Sequence, residues 1–134
     1  MKLTFVDSGV LIAAYRGTRP ESRPALQILA DTERAFASSF FVRLETIPKP
    51  TFLGRVDELQ FYEEFFQRVA RWATVDDELA ESALKIAAVA GLGGMDALHL
   101  AAAHQTGCEE FVTTEKPSRA IHRSRLMHIR SIHP

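Results

Sequence analysis

The chain holds one cysteine, Cys108, so no intrachain disulfide can form, and the oxidising-compartment class of small stapled domains is excluded. It lacks any run near the ~18 apolar residues that a membrane-spanning helix needs. Its opening between Lys2 and Asp7 carries only Leu3, Phe5 and Val6, interrupted by Thr4, too little for the apolar core of a signal peptide. Repeats, low-complexity tracts and linker-like stretches are missing as well. There is no Gly-x-Ser-x-Gly elbow and no Cys/His cluster at zinc spacing, which removes the commonest nucleophilic and zinc-dependent chemistries. A cytoplasmic protein without a membrane anchor is expected.

What is present is one domain's worth of chain, residues 1–134, with 46% apolar residues and 25% charged ones. That apolar share is ample for one layered core and too little chain for two full-sized domains. Net charge is close to neutral at -1, with 16 Lys+Arg against 17 Asp+Glu, yet the charges are segregated. Residues 57 to 81 hold eight acids against Arg68 and Arg71 only, whereas residues 116 to 134 hold Lys116, Arg119, Arg123, Arg125 and Arg130 and no acid. A basic terminus of this kind meets phosphate, pairs with the acidic stretch, or is solvated.

Periodicity gives the element order. Leu3 to Val6 reads as a buried strand and Val10 to Tyr15 as a helix after it. Residues 24 to 30 read as a second helix, Ala35 to Ser38 as a strand, and Phe40 to Ile47 as a helix interrupted by Pro48 and Pro50. Leu59, Tyr62, Phe65, Phe66 and Val69 recur at helical steps, predicting an amphipathic helix over 58 to 70 with its acids outward. A strand at Trp72 to Val75 follows, then a helix from Leu79 to Ala90 stopped by Gly91, Gly93 and Gly94. A further helix runs from about Met95 to Gly107, and strands are predicted at Phe111 to Thr113 and Met127 to Ile132. Strand and helix alternate, so the expected class is α/β: a three-layer α/β/α sandwich with a mainly parallel central sheet.

In open parallel sheets the working site lies beyond the carboxyl ends of the strands. That rule selects four acids: Asp7 directly after the first strand, Glu45 in the helix after the second, Asp96 in the first turn after the Gly-rich stop, and Glu115 two residues past the strand at 111 to 113. Each taken singly has a structural reading: an N-cap for Asp7, a helix-dipole partner for Asp96, an i,i+4 partner of Lys49 for Glu45, an exposed turn for Glu115. Together they are expected to converge. Grouped carboxylates raise one another's pKa, and a hard divalent cation such as Mg2+ or Mn2+ relieves that repulsion. His99, one turn beyond Asp96, is expected to fill a packing or hydrogen-bonding position, and Cys108 a small core site.

The segments Phe5-Val6-Asp7-Ser8-Gly9-Val10-Leu11-Ile12, Ser39 to Glu45, Met95-Asp96-Ala97-Leu98-His99-Leu100-Ala101-Ala102-Ala103 and Phe111-Val112-Thr113-Thr114-Glu115 resemble the four acidic motifs of PIN domains, and most closely those of VapC-like toxin ribonucleases. The resemblance spans nearly the whole chain in order. It implies the α/β/α fold, Mg2+- or Mn2+-dependent cleavage of RNA, frequent homodimers and a small antitoxin partner. By position it assigns the core acids to Asp7, Glu45 and Asp96, with Ser8 at the small hydroxyl that follows the first acid. Glu115 departs from the Asp common at the fourth position. Metal ligation and catalysis are therefore expected at Asp7, Glu45, Asp96 and Glu115. RNA contacts are expected from Ser8, Thr114, Lys49, Lys116 and Arg119, with Arg55 as a further phosphate candidate. Two competing readings are a non-catalytic binding module on the same fold, and an Asp-based phosphotransfer domain. The second is weakened by Gly9 where a second Asp is wanted.

Overall fold

A computed structural model describes all residues from Met1 to Pro134. Five strands form one sheet in the order β3-β2-β1-β4-β5, and every neighbouring pair is parallel. The strands are β1 (Lys2–Val6), β2 (Arg34–Ser38), β3 (Arg71–Trp72), β4 (Glu110–Thr113) and β5 (His128–Ser131). Helices α1 (Ser8–Arg16) and α2 (Ser22–Ala30) link β1 to β2, while α3 (Phe40–Thr46), α4 (Pro48–Phe52) and α5 (Val56–Arg68) link β2 to β3. The crossover to β4 is made by α6 (Asp77–Ala90) and α7 (Gly94–Gln105), and a short 3-10 turn at Ala120–Arg123 precedes β5. This is the three-layer α/β/α sandwich, and the sheet is wholly parallel.

The sheet is covered on both faces because consecutive residues, which point to opposite sides, are equally buried. Thr4, Phe5 and Val6 are all inaccessible, as are Phe111, Val112 and Thr113. Phe5 and Phe111 stack with ring centroids 5.4 Å apart, and Leu11, Leu100, Phe36 and Ile121 extend the same core. On α5 the predicted stripe is inside: Tyr62, Phe65 and Phe66 are buried, and Trp72 lies over Phe66 at 5.7 Å. No single helix is long and apolar enough to cross a membrane. The one pair that passes on combined length, α6 with α7, bends by 116°.

Three expectations change. Pro48 does interrupt α3, but it also starts a new helix: it occupies the first turn of α4, where the missing N–H has no partner to lose. The strand expected at Trp72 to Val75 is the two-residue β3, since only Arg71 and Trp72 pair with β2. The acids of α5 are not all outward. Glu58 is buried, accepting a hydrogen bond from the Tyr62 hydroxyl at 2.7 Å, with Arg55 3.6 Å from its other oxygen.

A second acid away from the strand-end group is buried as well. Glu110, at the amino end of β4, is buried and bonded to Arg34 Nη1 at 2.6 Å and His128 Nδ1 at 2.6 Å. Arg34 also donates to Thr4 Oγ1 at 2.8 Å and to Asp31 at 3.1 Å. Burial opposes the Glu110 charge, but the Arg34 and His128 hydrogen bonds outweigh it and hold this carboxyl below its usual range.

Removing Glu110 leaves the buried Arg34 with only the partly exposed Asp31 as a counter-charge. Glu110→Ala should therefore lower the unfolding free energy by about 3–5 kcal/mol, and the joint replacement Arg34→Met with Glu110→Leu by much less. Urea midpoints of the single and double variants check this. A single variant within about 1 kcal/mol of the unaltered chain would remove the pair from the list of stabilising contacts.

Candidate active site

The chain winds from β1 outward to β3 in one direction and returns to β4 and β5 on the other side of β1. The β1/β4 boundary is thus the topological switch point, where diverging loops open a crevice at the carboxyl ends. Asp7 sits there as the N-cap of α1. Its Oδ1 accepts from Val10 N–H at 3.1 Å and its Oδ2 from the Thr113 hydroxyl at 2.5 Å, while its own N–H bonds the Val112 carbonyl. Both the capping reading and the convergent reading of Asp7 hold in one side chain.

Gly9 is required beside it. A Cβ there would stand 2.4 Å from Thr114 Oγ1 and 3.4 Å from Asp7 Oδ1, so the absence of a side chain lets the β4 loop close over the first turn of α1.

Glu45 reaches the crevice from α3, and one oxygen is doubly used. Oε1 accepts from the Ser8 hydroxyl at 3.0 Å and lies 2.5 Å from His99 Nε2. His99 is buried, and its Nδ1 has no partner. The hydrogen bond from His99 is the main cause holding the Glu45 carboxyl below its usual range, against the opposing effect of burial. There is no ion pair between Glu45 and Lys49, which disposes of the i,i+4 reading. Leu44 and Met95, the chain neighbours of Glu45 and Asp96, are 48% and 39% exposed, so these apolar residues do not cover the acids.

Asp96 lies in the first turn of α7. The helix dipole there favours an anion, yet its carboxyl is pushed up, first by burial, then by the charge of Glu115, with Glu45 adding and His99 opposing. Asp7 is raised to about 6, chiefly by burial, with Asp96 contributing and the Thr113 and Val10 hydrogen bonds opposing. Asp96 therefore feels Glu45 and Glu115, and Asp7 feels Asp96. Side chains from β1, α3, α7 and the β4 loop share one electrostatic site.

Glu115 is held by its backbone. Its N–H donates to Thr113 Oγ1 at 3.1 Å, and its carbonyl accepts from the Ser131 hydroxyl at 2.7 Å and from His122 Nε2 at 3.0 Å. Its carboxylate meets Arg119 Nε at 3.5 Å. Sequence reasoning did not find the roles of His122, Ser131 and Thr113 in fixing this loop. No spacing signal links His122 or Ser131 to residue 115.

Of the two hydroxyls expected on substrate, Ser8 is engaged by Glu45 and Thr114 packs over Gly9. Lys116 and Arg119 are exposed on the Glu115 side, and Lys49 lies with Glu45 and Arg55 in the lining of a small cavity. No three of the carboxylates and histidines close into a metal cage. The donor set is nevertheless hard oxygen, partly exposed and short of positive charge. That suits a cation which keeps several of its own waters, as Mg2+ does.

The model of the PIN domain matches residues 4–120. Among solved structures, the chain is similar to the DNA-bound VapBC of Salmonella typhimurium (TM-score 0.70, 19% identity, covering 98% of this chain and 99% of that one). It is also similar to VapBC2 of Rickettsia felis bound to a DNA fragment from its promoter (TM-score 0.67, 12% identity, 96% and 98% covered). A toxin-antitoxin complex from Klebsiella pneumoniae matches at TM-score 0.61 and 19% identity, with 86% and 90% covered. No curated protein matches.

The raised Asp7 pKa carries a stability consequence. Asp7 takes up its proton at about 6 when folded and near 3.8 when unfolded, so its contribution favours folding at low pH and is lost as pH rises through about 6. Asp7→Asn removes that penalty. At pH 8 it should be more stable than the unaltered chain by about 2 kcal/mol, after allowance for the remaining solvent contact, and the gain should vanish below about pH 4. Urea unfolding at the two pH values checks the sign; equal stability at pH 8 would show that Asp7 ionises without penalty. The family match covers most of the chain, and with the fold and the four-acid crevice it establishes that this protein belongs to the PIN-domain family.

Proposed function

We propose that this protein is a divalent-metal-dependent endoribonuclease that hydrolyses RNA phosphodiester bonds as the toxin of a toxin-antitoxin pair. The observation that carries this reading is the meeting of Asp7, Glu45, Asp96 and Glu115 at the switch point of the sheet, with Asp7 and Asp96 both raised by burial and neighbouring charge. A stable structural cluster would be neutralised within the chain. Only Glu45 has a close His and only Glu115 an Arg, so Asp7 and Asp96 are left for a cation.

Mg2+ or Mn2+, held by these carboxylates, would lower the pKa of a bound water and neutralise charge developing on phosphate oxygens. The chain's own contribution is orientation. Thr113 and the α1 backbone aim Asp7, and Ser8 with His99 fixes one Glu45 oxygen and leaves the other free. Thr113, Ser131 and His122 fix the loop that bears Glu115. No serine or cysteine nucleophile is required, in keeping with a buried Cys108 whose thiol is pushed up by burial. The antitoxin partner is inferred from the fold-level likeness to VapBC and to the Klebsiella complex.

Metal-stripped protein should leave assorted RNAs intact and cut them on addition of Mn2+ or Mg2+. Asp96→Asn should reduce that cleavage by more than about a hundredfold while keeping the circular dichroism of the unaltered chain. Cleavage that survives both chelation and Asp96→Asn would end the metal mechanism. A chain that binds RNA and never cuts it would favour the non-catalytic module. Co-purification of a small protein from an adjacent reading frame checks the toxin assignment separately.

A further inference from the structure

Beside Glu45 lies a cavity of about 150 Å³ between α1, α3, α4 and α5, whose lining includes Arg16, Thr46, Lys49, Arg55, Glu58 and Glu45 itself. We infer that Arg16, Lys49 and Arg55 form a subsite for a backbone phosphate of the RNA, adjoining the scissile one, so that the strand leaves the acids past Glu45 toward α4 and α5. This rests on the ribonuclease reading and adds a direction to it.

The charges argue for it. Of the two acids in the lining, Glu58 accepts from Tyr62 on Oε2 and has Arg55 3.6 Å from Oε1, while Glu45 holds Ser8 and His99 on Oε1 and keeps its other oxygen free. Neither Arg16 nor Lys49 has a carboxylate within ion-pair distance. Three cations from the last turn of α1, from α4 and from the N-cap of α5 are thus brought together with two of them unneutralised. On the other flank Arg119 is already turned to Glu115 at 3.5 Å.

Size and continuity choose the ligand. The cavity is well under the ~300–1,000 Å³ of small-molecule sites, which suits a phosphate group and not a whole nucleotide. Glu45 belongs to both the crevice and the cavity, so an anion held here neighbours one held at the acids. A phosphodiester chain supplies anions at such successive positions. An acidic peptide has no need of a place beside the carboxylates.

Each phosphate contact to a single strand contributes a slope of about -0.7 in log K against log salt concentration. Binding of a fluorescent single-stranded 20-mer RNA is measured from 0.05 to 1 M NaCl in an Asp96→Asn background, which holds cleavage down throughout. Arg16→Gln and Lys49→Gln should each weaken binding about fivefold at 0.1 M salt, and together about 25-fold, with the slope falling by about 1.4 for the pair. The loss should shrink toward 1 M. Arg23→Gln, on α2 and outside the cavity, removes the same charge and should leave the slope unchanged.

An unchanged slope in the double variant, or an equal loss with Arg23→Gln, would overturn the subsite. So would loss of affinity for the antitoxin with RNA binding intact. Metal-dependent cleavage by the unaltered chain separates the two failures: if it persists, only the subsite is lost; if the chain neither binds nor cuts RNA, the ribonuclease reading falls first.

Discussion

Burial of Asp7 and Asp96 beside other acids, with too little positive charge from the chain to offset it, is the constraint around which this site is arranged. Four acids from well-separated stretches reach one crevice, and the surrounding structure spends hydrogen bonds on aiming them more than on neutralising them. Asp7 is gripped by a hydroxyl and a helix N-terminus, Glu45 by a hydroxyl and an imidazole, and Glu115 through its backbone, with Arg119 beside its carboxylate. Those contacts lower the Glu45 pKa but do not overcome the burial of Asp7 and Asp96. A fold that tolerates two raised carboxylates at its switch point gives up stability there, as binding sites commonly do.

The sheet topology makes this arrangement possible. Because β1 and β4 are neighbours while the chain leaves β1 in one direction and β4 in the other, the loops that follow them diverge. Asp7 and Thr113 bond across that divergence, and Gly9 leaves room for the Thr114 side chain against the first turn of α1. The third and fourth sources, α3 and α7, are themselves in contact. His99 spans them, joining a side chain of α7 to Glu45 of α3.

Local pattern made the central strands, most helices and the four acids readable from the sequence, since apolar runs end where the chain must turn and the acids stand just past those ends. What depended on distant partners was not readable. Pro48 was seen to interrupt α3 but not to open α4, because both readings follow from its missing N–H. Glu58 sits on a helix with strong acidic character, and only its contact with Tyr62 and Arg55 explains why it turns inward. Glu110 opens an apolar strand. Its burial follows from Arg34, 76 residues earlier, and His128, 18 residues later. The pinning of Glu115 by Ser131 likewise joins residues that no periodicity connects.

The two ends of the sheet give the clearest contrast. At the amino end a buried carboxylate, Glu110, meets a buried guanidinium and an imidazole, and its pKa is lowered. At the carboxyl end Asp7 and Asp96 face other acids, and their pKa values are raised. Both clusters are built on the same strands, so neither sheet geometry nor burial alone separates them. What separates them is whether the chain supplies its own counter-charge. Where it does, the carboxylate is part of the scaffold and its loss is a folding defect. Where it does not, burial and neighbouring acids leave the carboxyl raised, the pattern common at functional sites.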